Sequence, residues 1–302
     1  MYLPDCVNLI NPDIQWQHSE MAMNLRVLAC QIDIPEMTTA EARDLHLQRT
    51  TALVAAKLKE ASADLVVLPE LSSIDYSRSA FENLHLLAEP ESGPSFRAWQ
   101  RIALEYQCWV VYGFANCIDA VTKRYSISSA VVDPDGHLVA VYNKLHLAQF
   151  GDSMEKEYLA PGPQRLVVCD IKGFRFAPVI CYDIRAPELC RTLAIDHKVD
   201  LILHTGAYAR DPSFYSWHAF ATTRAVENQV YLLSLNRAGD HFGHSVFCKP
   251  WIDENNPPQP FDEHAEQLQF FTLDKDVLAL ARTQYTFIKD RLSTYQLPVL
   301  PS

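Results

Sequence analysis

Residues 64–70 read DLVVLPE: four apolar side chains, Leu65 to Leu68, are stopped by Pro69 and followed by Glu70. A run that short has no room for a helix face. It fits a strand buried on both sides, as in a sheet covered by helices. The segment before it supports this. From Thr38 the chain turns helical, with Thr38 and Glu41 spaced as a capping box, and Leu47, Thr51, Val54 and Leu58 at helical intervals. The motif returns at 200–206, DLILHTG, again a buried strand preceded by a helix. The likeness of ADLVVLPE to VDLILHTG suggests two similar halves.

Working outward, LRVLACQID (25–33) and CWVVYGFAN (108–116) read as strands. Between them a helix follows Gly93-Pro94 and carries Phe96, Trp99, Ala103 and Tyr106 on one side. Residues 125–144 form a hairpin about the turn DPDG. QRLVVCDI (164–171) and FRFAPVIC (174–181) read as two more strands, and Pro187 suits the first turn of a helix. A helix over 215–229 and a strand over 230–236 follow, and DENNPPQP (253–260) reads as an exposed loop. The order of elements predicts a mixed α/β fold with helices packed outside buried sheets. No linker divides the chain. Residues 1–23 read as an extension and 24–302 as one domain.

Bulk composition narrows the function. The net charge of -11 and pI near 5.4 oppose binding to a phosphate backbone, so no nucleic-acid partner is expected. No apolar stretch approaches the ~18 residues of a membrane span, and the N-terminus lacks the pattern of an export signal. The eight cysteines contain no CxxC pair. Reduced thiols and a cytoplasmic home are the expectation.

Three reactive side chains sit where predicted strands finish, the place where loops of an open sheet converge. Glu70 ends DLVVLPE, Lys144 ends the second hairpin strand, and Cys181 ends FAPVIC. Each has an ordinary reading: a solvated carboxylate, a surface ammonium, a core thiol. Together they supply a nucleophile, a base that can later act as an acid, and a cation for developing negative charge.

On DLVVLPE, NKLHL and ICYDIRAPEL, from Leu25 to about Tyr295, the sequence resembles the nitrilase, or carbon-nitrogen hydrolase, superfamily. The stretches FGHS with KPW, and 273–295, are similar to its omega-amidase-like branch. The resemblance implies a four-layer αββα sandwich and a Glu70, Lys144, Cys181 triad. It implies a supporting Glu155, seven residues before Gly162 in HLAQFGDSMEKEYLAPG, rather than the neighbouring Glu157. It further implies hydrolysis of a small amide to acid and ammonia through a thioester, with the backbone N–H of Tyr182 and Lys144 receiving the oxyanion. No metal or organic cofactor is required. A homodimer or higher homo-oligomer is implied, with residues 283–302 as a crossing arm.

Arg185 and Tyr76 are candidate substrate contacts, Arg185 as a bidentate receptor for a substrate carboxylate or else paired locally with Asp183 or Glu188. Arg224, Glu227 and Asn228 read as structural. Ala186 stands where relatives commonly have phenylalanine, which places the doubt on specificity. The alternatives to amide hydrolysis are an N-carbamoyl-amine hydrolase, a nitrilase, and a catalytically dead binding protein, the last disfavoured by an intact triad. As a candidate metal site, His241, His244 and Cys248 are close in sequence, with His204 and His218 near the same region, but HFGH is not HExxH and no carboxylate joins it in a ligand pattern.

Overall fold

The computed structural model describes residues 23–298, so the extension read over 1–23 falls, but for Met23, outside the described residues. The chain-ordered strands are β1 (Asn24–Gln31), β2 (Leu65–Val67), β3 (Trp109–Asp119), β4 (Arg124–Val132), β5 (Leu138–Asn143) and β6 (Cys169–Ile171). They continue with β7 (Phe174–Ile180), β8 (Leu201–Thr205), β9 (Tyr231–Leu235), β10 (Val246–Cys248), β11 (Gln259–Pro260) and β12 (Gln267–Asp274). They build two six-stranded sheets, in the orders β12-β1-β2-β3-β4-β5 and β11-β10-β9-β8-β7-β6. In the first, β1, β2 and β3 run parallel and the remaining neighbours are antiparallel. In the second, β7, β8 and β9 are the parallel group, flanked in the same way. β2 and β8 are therefore equivalent middle strands, which is the physical content of the likeness between DLVVLPE and DLILHTG.

Alternation along each strand sorts the side chains into three apolar layers. Val27, Leu65, Val67 and Val111 of one sheet meet Phe174, Phe176, Leu201 and Leu233 of the other in the central layer. Leu28, Cys30, Val66 and Leu68 point the opposite way, onto Val54, Leu58, Trp99 and Ile102 of the helices Ala40–Glu60 and Pro94–Tyr106. On the far side, Ala177, Val179, Ile202 and Leu232 pack on Leu189, Leu193, Ala221 and Ala225 of the helices Pro187–Ile195 and Phe214–Asn228. The result is the αββα sandwich, one domain in which β12 returns to pair with β1 along its whole length.

Several boundaries differ from the sequence reading. The first long helix is capped by Thr39, whose hydroxyl accepts from Ala42 N, rather than by Thr38. The shift of one residue puts Glu41 at the second helical position, where it cannot reach back to close a capping box. β2 ends at Val67, so Glu70 lies on the turn beyond it. Only Cys169–Ile171 of QRLVVCDI is strand. Gln259–Pro260, read as loop, forms a two-residue edge strand.

Gly113 on β3 marks the closest approach of the Glu70 turn to the sheet. A Cβ there would lie 2.4 Å from Pro69 O and 2.5 Å from Leu71 N, both rigid backbone atoms. Gly113→Ala is therefore expected to cost ~1–3 kcal/mol of stability through overpacking and to lower turnover at least about ten-fold by displacing Glu70. Urea unfolding and initial rates check both. Unchanged turnover would mean that the Glu70 turn is not held by β3.

Candidate active site

Three backbones deliver the three reactive side chains. The Glu70 turn is tied to β3 through Leu68 N to Val111 O at 2.8 Å and through the Ser72 hydroxyl, which donates to Gly113 O at 2.9 Å. Leu71 takes φ 47° as the chain reverses. Lys144 follows β5 directly. Its N–H donates to Ile127 O at 2.9 Å and its carbonyl accepts from Gly162 N at 2.8 Å; a Cβ on Gly162 would lie 2.6 Å from Asn143 O, which explains the glycine of the downstream PG. Cys181 follows β7 directly and opens a 3₁₀ turn, Cys181–Arg185, at φ 45°. A non-glycine residue in the left-handed region costs ~1–3 kcal/mol and tends to mark a functional position.

The side chains converge on one buried ammonium. Lys144 Nζ lies 2.8 Å from Glu70 Oε1 and 2.6 Å from Glu155 Oε1, and all three side chains have 0% exposure. Glu155 is fixed further: Oε1 accepts from the Tyr76 hydroxyl at 2.8 Å and Oε2 from Ala148 N at 2.9 Å. Glu157 instead points outward to Arg78 and Gln149. Burial alone would push the Lys144 ammonium down, but Glu155 and Glu70 outweigh it and hold its pKa well above the ordinary lysine value.

Glu70 has the opposite balance. Burial raises its pKa, Lys144 lowers it, Glu155 raises it, and the carboxyl settles at about 7. Its Oε2 is buried with no hydrogen-bond partner, the oxygen left to take a proton. The Cys181 thiol is pushed up by burial and then by the charge of Glu70, with Lys144 offsetting part of this. The resting pair near neutrality is thus a thiol that keeps its proton beside a carboxyl that exchanges one in the same pH range.

Asp183 is a site residue that the sequence reading passed over. It is fully buried; Oδ2 accepts from the Tyr142 hydroxyl and Ile180 N, and Oδ1 from the His146 backbone N–H and ring. It locks the cysteine turn to the segment just after Lys144. The signal was present, a carboxylate two residues after Cys181 in apolar surroundings, but its partners are 37 and 41 residues away. Arg224 braces the same turn through Ile184 O at 3.1 Å and pairs with Glu227.

Arg185 makes no ion pair with Asp183 or Glu188 among the described residues. Its guanidinium lies 5.0 Å from the Phe150 and Phe220 ring centres and 5.7 Å from that of Tyr182, and Nη2 is buried without a hydrogen-bond partner. Tyr76 lines a cavity of about 440 Å³ together with Asp75, Met154 and Arg237. Its hydroxyl proton is committed to Glu155. Arg237 is held by Ile34 O and Asp75. Of the histidines, His218 Nε2 donates to the His244 backbone carbonyl, 2.7 Å away, while His204 is engaged at Ser234 and Cys181.

A family model described as carbon-nitrogen hydrolase matches residues 26–281. The chain is 27% identical over 259 residues to the omega-amidase Nit3 of Saccharomyces cerevisiae, covering 82% of this chain and 87% of that protein. It is 30% identical over 227 residues to the omega-amidase Nit2 of Bos taurus, covering 72% and 79%. The solved structure of Saccharomyces cerevisiae Nit3, a member of branch 10 of the nitrilase superfamily, superposes with a TM-score of 0.76 at 24% identity, covering 92% and 99%. The chain belongs to the carbon-nitrogen hydrolase family and is an enzyme that hydrolyses carbon–nitrogen bonds.

Removing the ammonium strands two buried carboxylates. Lys144→Ala is expected to lose ~3–5 kcal/mol of stability, the cost of breaking a buried ion pair from one side. Glu155→Gln, which keeps the shape and one acceptor, should lose less. Denaturant midpoints compare the two, and equal losses would show that the charges are hydrated in the folded state.

Proposed function

We propose that Glu70, Lys144 and Cys181 carry the hydrolysis of a small amide, with Glu155 as the support of Lys144. The observation that carries this reading is the shared ammonium: one buried Lys144 between two carboxylates, one of which faces the nucleophile. Glu70 takes the thiol proton as Cys181 attacks the amide carbonyl. The Lys144 ammonium and the Tyr182 backbone N–H stabilise the oxyanion. Glu70 returns the proton to the leaving nitrogen, ammonia departs, and a thioester remains. Glu70 then activates water, which releases the acid and the thiol. Each proton and charge in this scheme has a partner among these side chains. Tyr76 acts by holding Glu155.

The favoured substrate is an amide bearing a carboxylate at its far end, received by Arg185. The rim of the cavity carries the exposed carboxylates Asp33, Glu36, Asp152 and Asp240, which favour a cationic tail such as a carbamoyl diamine would present. Exposed charges are screened by salt and worth little. Arg185 lies outside the lining of that cavity, and its unpartnered, buried Nη2 demands an acceptor that a carboxylate would supply. The chain is also proposed to act as a cytoplasmic homodimer. No helix among the described residues is long and apolar enough to cross a membrane. The described cysteines are all free. Leu292, Tyr295 and Leu297 of the C-terminal arm are largely exposed, apolar surface that a second copy would cover.

An ammonia-release screen over small amides, carbamoyl amines and nitriles, read beside intact mass, tests the reading. A trapped adduct on Cys181 is expected, and none in Cys181→Ala. Because Glu70 must be ionised to act as base and its pKa is raised to about 7, kcat/KM should fall as pH drops through about 7. A limb near the ordinary carboxylate range would remove Glu70 as the base. Arg185→Leu should raise KM for succinamate about 10- to 100-fold, the loss of a hydrogen bond to charge. Butyramide, which lacks the carboxylate, should be far less affected. An equal effect on both would count against Arg185 as the receptor.

A further inference from the structure

The carbonyl oxygen of Cys181 collects two side-chain donors. The Tyr208 hydroxyl donates to it at 3.0 Å, and His204 Nε2 lies 3.0 Å away. A carbonyl only accepts, so Nε2 carries the ring proton. Burial pushes the His204 pKa down to about 4, so the ring is neutral and its Nδ1 is an acceptor. Ser234 Oγ, 2.7 Å from Nδ1, must therefore point its proton there, which leaves its lone pair for the Trp217 Nε1–H at 2.7 Å. The chain from Trp217 through Ser234 and His204 to Cys181 is satisfied at every step, and all its members are buried.

The peptide unit that receives these bonds is the one whose N–H belongs to Tyr182. Two donors on a carbonyl draw electron density from the amide nitrogen and make its N–H a stronger donor. They also fix the plane of a peptide whose Cys181 sits at φ 45°, where the backbone alone would not hold it. We propose that His204 and Tyr208 are positioning residues that aim and polarise the Cys181–Tyr182 peptide as an oxyanion donor. The proposal rests on the reading of the Tyr182 N–H given under Proposed function.

The test uses three probes on the full chain. Succinamate reports turnover. Succinic semialdehyde adds the Cys181 thiol across its carbonyl, forming the S–C bond and placing the thiol proton on an oxygen that sits where the oxyanion forms. Iodoacetamide alkylates Cys181 by displacing iodide and needs no oxyanion donor. Tyr208→Phe keeps the ring stacked on Trp217, 4.6 Å between centres, and removes only the donor. His204→Leu removes the other, and His204→Gln restores an N–H. Tyr208→Phe and His204→Leu are each expected to lower kcat about ten-fold, a fraction of the loss from deleting an oxyanion donor. Aldehyde affinity should fall in step, while KM and the alkylation rate stay within about two-fold. His204→Gln should recover most of the loss. Alkylation slowing in parallel with kcat would overturn the proposal, because the variants would then have displaced the sulfur itself. Variants that bind the aldehyde as tightly as a tight-binding parent would overturn it alone. A parent that binds the aldehyde no tighter than succinamate would overturn the oxyanion reading as well.

Discussion

A single ammonium with 0% exposure sets the constraint around which the site is built. Burying Lys144 uncompensated would cost several kcal/mol and drive it neutral. Glu70 and Glu155 prevent this, and in doing so they fasten three segments of chain to one point: the turn after β2, the end of β5, and the short helix Glu155–Tyr158. The arrangement also sets the chemistry. Two carboxylates about one cation cannot both gain its full stabilisation, and Glu155 holds three donors, from Lys144, Tyr76 and Ala148. Glu70 has the ammonium at one oxygen and only the Cys181 thiol as a neighbour for the other. The less satisfied carboxylate is the one whose pKa rises to about 7, and it is the one that faces the thiol. Burial is the largest cause of that rise, and the ammonium offsets only part of it.

The strands and a mixed α/β fold with helices outside buried sheets were legible because buried strands and helix faces write periodic patterns into local sequence, whereas the four-layer sandwich was implied by the resemblance. DLVVLPE, DLILHTG and the hairpin about DPDG sit where the sequence placed them. The convergence of Glu70, Lys144 and Cys181 was inferred from chemical complementarity, since 74 residues separate Glu70 from Lys144 and nothing local joins them. Asp183 was read only as a local partner for Arg185, His204 only as a neighbour of a disfavoured metal site, and Tyr208 not at all, for the same reason reversed. Each acts through a partner distant in sequence, and none belongs to the set of nucleophile, base and cation that guided the search. His204 gave the plainest unused signal, an imidazole inside an apolar strand, which must find partners on both nitrogens or pay for their burial. The Thr38 cap failed for a smaller reason. Two adjacent threonines offer the same motif one residue apart, and only the turn geometry chooses between them.

The two parallel triplets explain why the site lies where it does. Glu70 follows the middle strand of one triplet and Cys181 follows an edge strand of the other, both at carboxyl ends. The loops that leave those ends are free of ladder hydrogen bonds, so they can adopt the left-handed conformations at Leu71 and Cys181 that a regular strand forbids. Such strain needs holding from outside the strand. At Leu71 the hold is the Ser72 hydroxyl on β3; at Cys181 it is Asp183 within the turn, Arg224 from the helix Phe214–Asn228, and His204 and Tyr208 from and after β8. The denser support around Cys181 fits the task proposed for it. A base needs its oxygen within reach of one proton, and a glutamate side chain has the torsions to adjust. A nucleophile must present its sulfur while the next backbone N–H meets the oxygen of the same carbonyl, and that leaves the peptide between them no freedom to tilt.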